Sequence, residues 1–121
     1  MTTEVITLVE NYSSESTDSS YTYGIKKPGA GYHKISNNLH TVVFLLNDFK
    51  GSIKLQGTLA LKPGDNDWFD IVYDNNESQL ESLDSTPLVL TATRNFSGNF
   101  VWIRAGYNLV EGTITSIHYN F

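Results

Sequence analysis

The sequence predicts an all-β fold, specifically an antiparallel two-sheet β-sandwich with a jelly-roll-like arrangement of strands. Three observations support this fold class. Apolar and polar side chains alternate along residues 52–62, short apolar runs recur between turn-forming clusters, and Ser and Thr number twelve each while charged residues make up only 17%. Such a composition is typical of sheet faces and loops and not of long solvent-exposed helices.

Length, charge and composition limit the possible classes of protein. The 121 residues predict a single domain, 1–121, that buries roughly two thirds of its unfolded surface. The absence of Cys excludes disulfides, thiolate metal ligands and a cysteine nucleophile. The net charge of −5 opposes phosphate binding, so we expect no direct nucleic-acid partner. We also expect no membrane partner and no cleaved export signal, since the longest apolar run, residues 42–46, is too short to span a bilayer.

The predicted sheet is organised around residues 52–62. One side of this strand carries the apolar row and the other side is polar except at Ala60; the row consists of Ile53, Leu55, Gly57, Leu59 and Leu61. We therefore expect Leu55 and Leu59 to be almost fully buried. Pro63 followed by Gly64 predicts a type II turn, because the second central residue of that turn has a positive φ.

Two strands are expected N-terminal to this row. Residues 4–10 form a β-branched run that should tie the N-terminus into a sheet. Residues 39–46 are the most continuously apolar segment, and the flanking Asn47 and Asp48 indicate that this central strand ends there. The Pro and Gly residues within 26–31 predict a turn between the two strands.

Residues 11–20 are polar except for Tyr12 and predict a loop or arm. Such a segment cannot bury enough apolar surface to offset the entropy lost on ordering, so we expect it to be disordered in an isolated monomer. In a symmetric assembly it would lie on the neighbouring copy, with Tyr12 as its anchor.

Four strands are expected after the organising strand, and they occupy residues 68–73, 87–93, 100–105 and 113–121. A tight connection at 95–99 contains Gly98, and residues 106–112 are expected to form a loop. Leu80 and Leu83 are spaced as on a helix, so residues 74–85 contain the single helix candidate.

The last predicted strand should be irregular. Ile114 and Ile117 break the two-residue alternation, which indicates a β-bulge near Thr115 and Ser116.

No residue pattern predicts a catalytic, metal or cofactor site. The three histidines, His33, His40 and His118, lie in separate segments without metal-ligand spacing. A second group has oxygen ligands that suit calcium, but its residues are also those that turns favour, and we interpret it as a turn: Asp65, Asn66, Asp67 and Asp70.

Aromatic residues allow two interpretations. Trp68 and Trp102 could stack against sugar rings or fill the core of the sandwich. In residues 100–105, one face would carry Val101, Ile103 and Ala105 and the other Phe100, Trp102 and Arg104, so a second layer or a neighbouring subunit should cover both faces. The candidate interaction surface consists of Tyr12, Trp68, Trp102 and Arg104.

Three stretches in residues 51–121 carry a family resemblance. They read GSIKLQGTLALKPGDNDWFDI, GNFVWIRAGY and GTITSIHYNF. This pattern resembles small β-sandwich virion proteins of tailed bacteriophages, especially tail, baseplate and fibre-associated proteins of marine phages. The residue after the Arg104-Ala105 pair, usually Lys in that pattern, is Gly106 here.

The resemblance implies a non-enzymatic structural component of the virion, in the tail, baseplate or fibre. Its expected partners are copies of itself and other virion proteins. Two alternatives remain open. The first is a carbohydrate-binding module or host-adhesion domain that uses exposed aromatics to bind a host-surface glycan, and the second is a capsid decoration protein.

Overall fold

The computed structural model of the chain describes residues 6–13, 21–29, 39–82 and 89–120. These residues form an all-β antiparallel fold, as the sequence predicted. The strands are β1 (Ile6–Tyr12), β2 (Thr22–Tyr23), β3 (Lys27–Pro28), β4 (Leu39–Thr58), β5 (Phe69–Asp70), β6 (Leu80–Ser82), β7 (Val89–Ser97) and β8 (Trp102–Asn120). A 3-10 helix, Asp65–Asp67, precedes β5. Among the described residues, no helix is long and apolar enough to cross a membrane.

Two long antiparallel strands, β4 and β8, form the centre of one continuous sheet. They pair along almost their whole length, from Thr41 opposite Asn120 to Thr58 opposite Trp102. The first part of β4 also pairs with β7, and its second part pairs with β6 and β5. On its other edge, β8 pairs with β3 and β2 along its first part and with β1 along its second part.

The pairing of β4 with β8 is irregular near the middle of both strands. The register shifts between Asn47 and Gly51, and Asp48 has a positive φ of 52°. A Cβ on Gly51 would lie 2.0 Å from the carbonyl oxygen of Asn108, and one on Gly112 would lie 2.2 Å from that of Asp48. Both glycines also have positive φ, so a side chain at either position would be strained and would clash.

Two sequence expectations are therefore wrong. Asn47 and Asp48 do not end a strand, and residues 106–112 do not form a loop, because β4 and β8 continue through these positions. The physical reason is that Gly, Asn and Asp adopt positive φ in a β-bulge as readily as in a turn.

Contacts across the core bring the two halves of the sheet together. The hydroxyl of Tyr119, near the end of β8, donates a hydrogen bond of 3.0 Å to the carbonyl oxygen of Pro28, which pairs with the start of β8. The Tyr12 ring meets the Tyr107 ring edge-on at 4.4 Å between centroids. Buried side chains from β4 and β8 fill the space between the halves, including Phe44, Leu46, Ile53, Leu55, Ile103, Leu109, Ile114 and Ile117.

The apolar row of residues 52–62 is only partly buried. Leu55 is 0% exposed, as expected, but Leu59 is 68% exposed and Leu61 is 66% exposed. The expectation for Leu59 is wrong because β4 ends at Thr58, where its pairing with β8 stops. The predicted type II turn is also wrong, since Gly64 has φ −92° and leads into the 3-10 helix.

Three further expectations concern the bulge in β8, the segment around Leu80 and the N-terminal strand. The bulge near Thr115 is confirmed, because Leu45 faces Ser116 and Leu46 faces Ile114, which leaves Thr115 without a partner in that register. The helical turn expected at Leu80 is wrong, since Leu80 begins β6, while Leu83 lies outside the described residues. Pairing of β1 with β8 confirms that the N-terminal run joins the sheet.

Candidate functional site

Three of the four predicted surface residues lie together. Arg104 and Trp102 are two residues apart on β8, so their side chains point to the same, outer face of the sheet, while Ile103 points into the core. Trp68 follows the 3-10 helix and its ring reaches the Arg104 side chain. We call this surface the Arg104 face, and it comprises Tyr21, Tyr23, Lys26, Lys54, Gln56, Trp68, Asp70, Trp102 and Arg104.

The fourth residue, Tyr12, lies elsewhere. It belongs to β1 and packs against the core beside Tyr107, so the prediction that it anchors an arm on a neighbouring copy is not supported for this side chain. Asn11 is also part of β1, and residues 14–20 of the expected arm lie outside the described residues.

Two aromatic rings contact the Arg104 guanidinium. Its central carbon lies 4.1 Å from the centroid of the Tyr23 ring and 4.2 Å from that of the Trp68 ring. These are favourable cation–π distances. Tyr23 comes from β2 on one edge of β8, and Trp68 comes from beyond β4 on the other edge. Desolvation lowers the pKa of Arg104, and the neighbouring Tyr23 and Asp65 oppose this effect.

A polar network continues from Arg104 across β4. The Nε–H of Arg104 donates to Oε1 of Gln56 at 2.9 Å, and Nε2 of Gln56 donates to Oδ1 of Asp70 at 3.0 Å. The same Asp70 oxygen lies 3.3 Å from Nζ of Lys54. Because Gln56 is buried, these hydrogen bonds fix the direction of its amide and hold one edge of the guanidinium.

Tyr21, Tyr23 and Lys54 complete this face, and the sequence analysis missed them. The Lys54 ammonium lies 4.3 Å from the Tyr21 ring centroid and 5.9 Å from that of Tyr23. A Cβ on Gly106 would lie 2.7 Å from the Tyr23 ring, so the glycine makes room for this ring over β8. The sequence did indicate one part of this face. Lys54 and Gln56 alternate with apolar residues along the strand, which places both side chains on the outer side of β4.

Trp102 is half-buried and connects the face to the end of β4. Its Nε1–H donates to the carbonyl oxygen of Leu61 at 2.9 Å, and the Lys26 ammonium lies 4.9 Å from its ring centroid. Phe100, expected on the same face, instead packs inward against His40 and Phe96, because β8 begins only at Trp102.

Exposed apolar side chains lie where β4 leaves the sheet. Leu59 and Leu61 are mostly exposed, and Phe69, opposite Gly57 on β5, is 42% exposed. We call Leu59, Leu61 and Phe69 the apolar tip. Clustered exposed apolar side chains are a feature of interaction surfaces.

The predicted oxygen-ligand cluster forms a turn. The Asp67 carboxylate accepts a hydrogen bond of 2.7 Å from the Gly64 N–H, and Asp70 binds Gln56 and Lys54. Within the described residues, no group of three or more His, Cys, Asp or Glu side chains could hold a metal ion.

The two described histidines, His40 and His118, lie in different parts of the fold. His40 is buried in the core with Nε2 2.8 Å from the Gly98 carbonyl oxygen, whereas His118 faces Thr7 on β1 with Nδ1 3.1 Å from its hydroxyl. His33 lies outside the described residues.

A polar cleft of about 490 Å³ lies apart from the Arg104 face, between residues 76–81 and Arg94. The Arg94 Nε lies 3.3 Å from a Glu77 carboxylate oxygen. Tyr73 is buried, and desolvation raises the pKa of its hydroxyl, an effect that the charge of Arg94 opposes.

Solved structures resemble this chain to different degrees. The chain is similar to the SPBc2 prophage-derived protein YomS, with a TM-score of 0.57, 10% sequence identity and coverage of 98% of this chain and 92% of that one. It is also similar to CBM29_1, a family 29 carbohydrate binding module from Piromyces equi, with a TM-score of 0.47, 8% identity and coverage of 98% and 91%. No protein family and no curated protein sequence matches the chain. The all-β fold is therefore shared with a prophage-derived protein.

Proposed function

We propose that this chain is a non-enzymatic structural protein of a tailed bacteriophage particle, located in the tail, baseplate or fibre. The observation that carries the proposal is the fold that it shares with a prophage-derived protein over almost the full length of both chains. The phage-like stretches within residues 51–121 support the same assignment. A capsid decoration protein is the alternative placement within the particle.

The proposed partner at the apolar tip is a neighbouring copy of the same chain. Leu59 and Leu61 present their side chains to solvent, while the Leu61 carbonyl oxygen accepts a hydrogen bond from the Trp102 side chain on β8. A held apolar surface loses little conformational entropy on contact, which favours association. Repetition of a head-to-tail contact of this kind closes into a ring when the rotation between copies permits.

The structural proposal is tested by assembly and by location. We expect the native chain to form oligomers in analytical ultracentrifugation, and the double variant Leu59→Ser, Leu61→Ser to lose them without losing its fold. The matched control is Val110→Ser, which removes an exposed apolar side chain near the middle of β8, far from the tip. Mass spectrometry of purified particles should detect the native chain. Absence from the particles, or a native chain that stays monomeric at all concentrations, would contradict the proposal.

Carbohydrate binding is the second candidate function. It is favoured by one sheet face on which Tyr23 and Trp68 pack against Arg104 and Trp102 lies beside Lys26. Such a face combines rings that can stack on sugars with hydrogen-bond donors. The variant Trp68→Ala discriminates the two functions, because the Trp68 ring packs against Arg104 and is not one of the three side chains of the apolar tip. Loss of glycan binding with assembly unchanged would support a glycan-binding role, and a native chain that binds no glycan would remove this candidate.

A further inference from the structure

Arg104 is held with one hydrogen-bonding edge that no side chain or backbone group within residues 6–13, 21–29, 39–82 and 89–120 occupies. Tyr23 and Trp68 restrict its guanidinium plane, and Gln56 accepts its Nε–H. Neither Nη group makes a hydrogen bond to a described residue. The two Nη groups form the fork with which guanidinium binds carboxylates in a bidentate manner. The side chain is therefore ordered before any ligand arrives, which reduces the entropy cost of binding.

The charge around the fork indicates what kind of anion fits. Lys26, Lys54 and Arg104 supply three positive charges on this face. Asp70 pairs with Lys54, and Asp65 lies close enough to stabilise the charged form of Arg104. The balance is weakly positive, so the face suits a ligand with isolated single charges and not a densely sulfated polymer or a nucleic acid.

An aromatic ring and a lysine lie on the same sheet face as the fork. The Trp102 side chain emerges from the same face of β8 about 7 Å from Arg104, which is the rise of two strand residues. The exposed Lys26 ammonium lies beside the Trp102 ring. A chain of ring sugars could thus place one carboxylate on the Arg104 fork and a second near Lys26, with sugar faces against the aromatic rings.

From this geometry we infer that the Arg104 face binds carboxylated sugars, namely the uronic-acid units of an acidic polysaccharide, with Arg104 as the residue that recognises the carboxylate. The inference specifies the ligand for the second candidate function and does not depend on assembly through the apolar tip. A structural virion protein can carry such a face, so the inference also holds if the structural proposal is correct.

The test uses one pair of ligands on the unaltered chain. Trigalacturonate and its fully methyl-esterified form have the same sugar rings, but only the first carries carboxylates. We expect isothermal titration calorimetry at low salt to give at least about tenfold tighter binding of the free acid, because the charge-assisted fork contact is lost in the ester. Equal affinity for the two forms would overturn the inference. So would the absence of binding to both trigalacturonate and a hyaluronan tetrasaccharide.

A variant pair tests the role of the fork. Arg104→Lys keeps the positive charge but removes the planar fork, so we expect it to lower the affinity for trigalacturonate by about tenfold or more. Lys50→Gln removes a charge six residues from Gln56 along β4, and its affinity should stay within about twofold of the native value. Unchanged binding by Arg104→Lys would show that general positive charge suffices and would contradict the assignment. Assembly measured on the same samples reports separately on the structural proposal.

Discussion

The imidazole ring of His40 lies parallel to the phenyl ring of Phe96, with 4.7 Å between their centroids and 4° between their planes. The Tyr119 ring is also nearly parallel to the imidazole, at 5.7 Å and 11°. Since Nε2 lies 2.8 Å from the Gly98 carbonyl oxygen, which can only accept, that nitrogen carries a hydrogen and donates a hydrogen bond to the carbonyl. A titratable group thus forms part of the aromatic core.

This placement predicts lower stability in mild acid. Desolvation lowers the pKa of His40 below 6.5, and the hydrogen bond to Gly98 only partly opposes it. The unfolded chain therefore binds the proton more readily than the folded chain. The free energy of unfolding should fall as the pH decreases from 6.5 towards the folded-state pKa, with a slope of up to about 1.4 kcal/mol per pH unit. Urea unfolding at pH 7.5, 6.5 and 5.5 measures this slope.

The control for this prediction is the second described histidine. Replacement of His118, which contacts Thr7, by Gln gives a variant that lacks one histidine and keeps His40, and its slope is compared with that of His40→Phe. His40→Phe should reduce the slope, even though the variant loses the hydrogen bond to Gly98. An unchanged slope in His40→Phe would assign the acid sensitivity to another group.

Because the apolar row of residues 52–62 is buried only in its first part, alanine variants of Leu55 and Leu59 should differ in stability. Leu55→Ala should lower the free energy of unfolding by about 2–5 kcal/mol, because the side chain is fully buried and its removal leaves a cavity. Leu59→Ala should change it by less than about 0.5 kcal/mol, since Leu59 is mostly exposed. Denaturant unfolding of both variants is the measurement, and equal losses would place the end of β4 beyond Leu59.

The irregular pairing near the middle of β4 and β8 predicts that glycines differ in their tolerance of alanine. Gly51→Ala and Gly112→Ala should each cost at least about 1 kcal/mol, because φ is 145° and 88° and a Cβ would meet a carbonyl oxygen. Gly64→Ala is the control, since its φ is −92° and the nearest contact of a Cβ would be 3.7 Å away. Thermal unfolding of the three variants tests the contrast. A Gly64→Ala loss as large as the other two would indicate a general effect of removing glycine.

The hydrogen bond from Trp102 predicts local loosening without unfolding. Trp102→Phe keeps an aromatic ring on the face but cannot donate to the Leu61 carbonyl oxygen. Hydrogen exchange should become faster in residues 59–64, while protection of β4 and β8 should remain at the native level. Faster exchange throughout both strands would mean that Trp102 supports the whole sheet.

The sequence correctly predicted which side chains point inward within regular strand segments, but it did not predict where the strands end. The inward direction of Ile53 and Leu55 follows from alternation, which regular pairing preserves. Alternation continues to Leu61, but the pairing of β4 stops at Thr58, and no residue pattern within one strand reveals where its partner ends. The continuity of β4 and β8 was missed for a related reason, since a glycine-containing bulge and a turn have similar compositions.

The candidate site was partly predictable. Trp68 and Trp102 were identified as aromatic rings that can stack on sugars, and Arg104 was identified because alternation places it on the same strand face as Trp102. Tyr23 and Gln56 were not, since each lies far from Arg104 in the sequence. Only the pairing of β2 and β4 with opposite edges of β8 brings these side chains to the guanidinium.

The course of β8 through the whole domain also constrains how the chain folds during synthesis. The strands β1, β2, β3 and β4 all pair with β8, yet β8 follows all four in the chain and leaves the ribosome after them. Until then, β4 lacks its main partner and its apolar residues have no complete core to join. We expect stalled chains that end before residue 102 to remain susceptible to protease and to require chaperone protection, because sheets built from such distant segments form slowly.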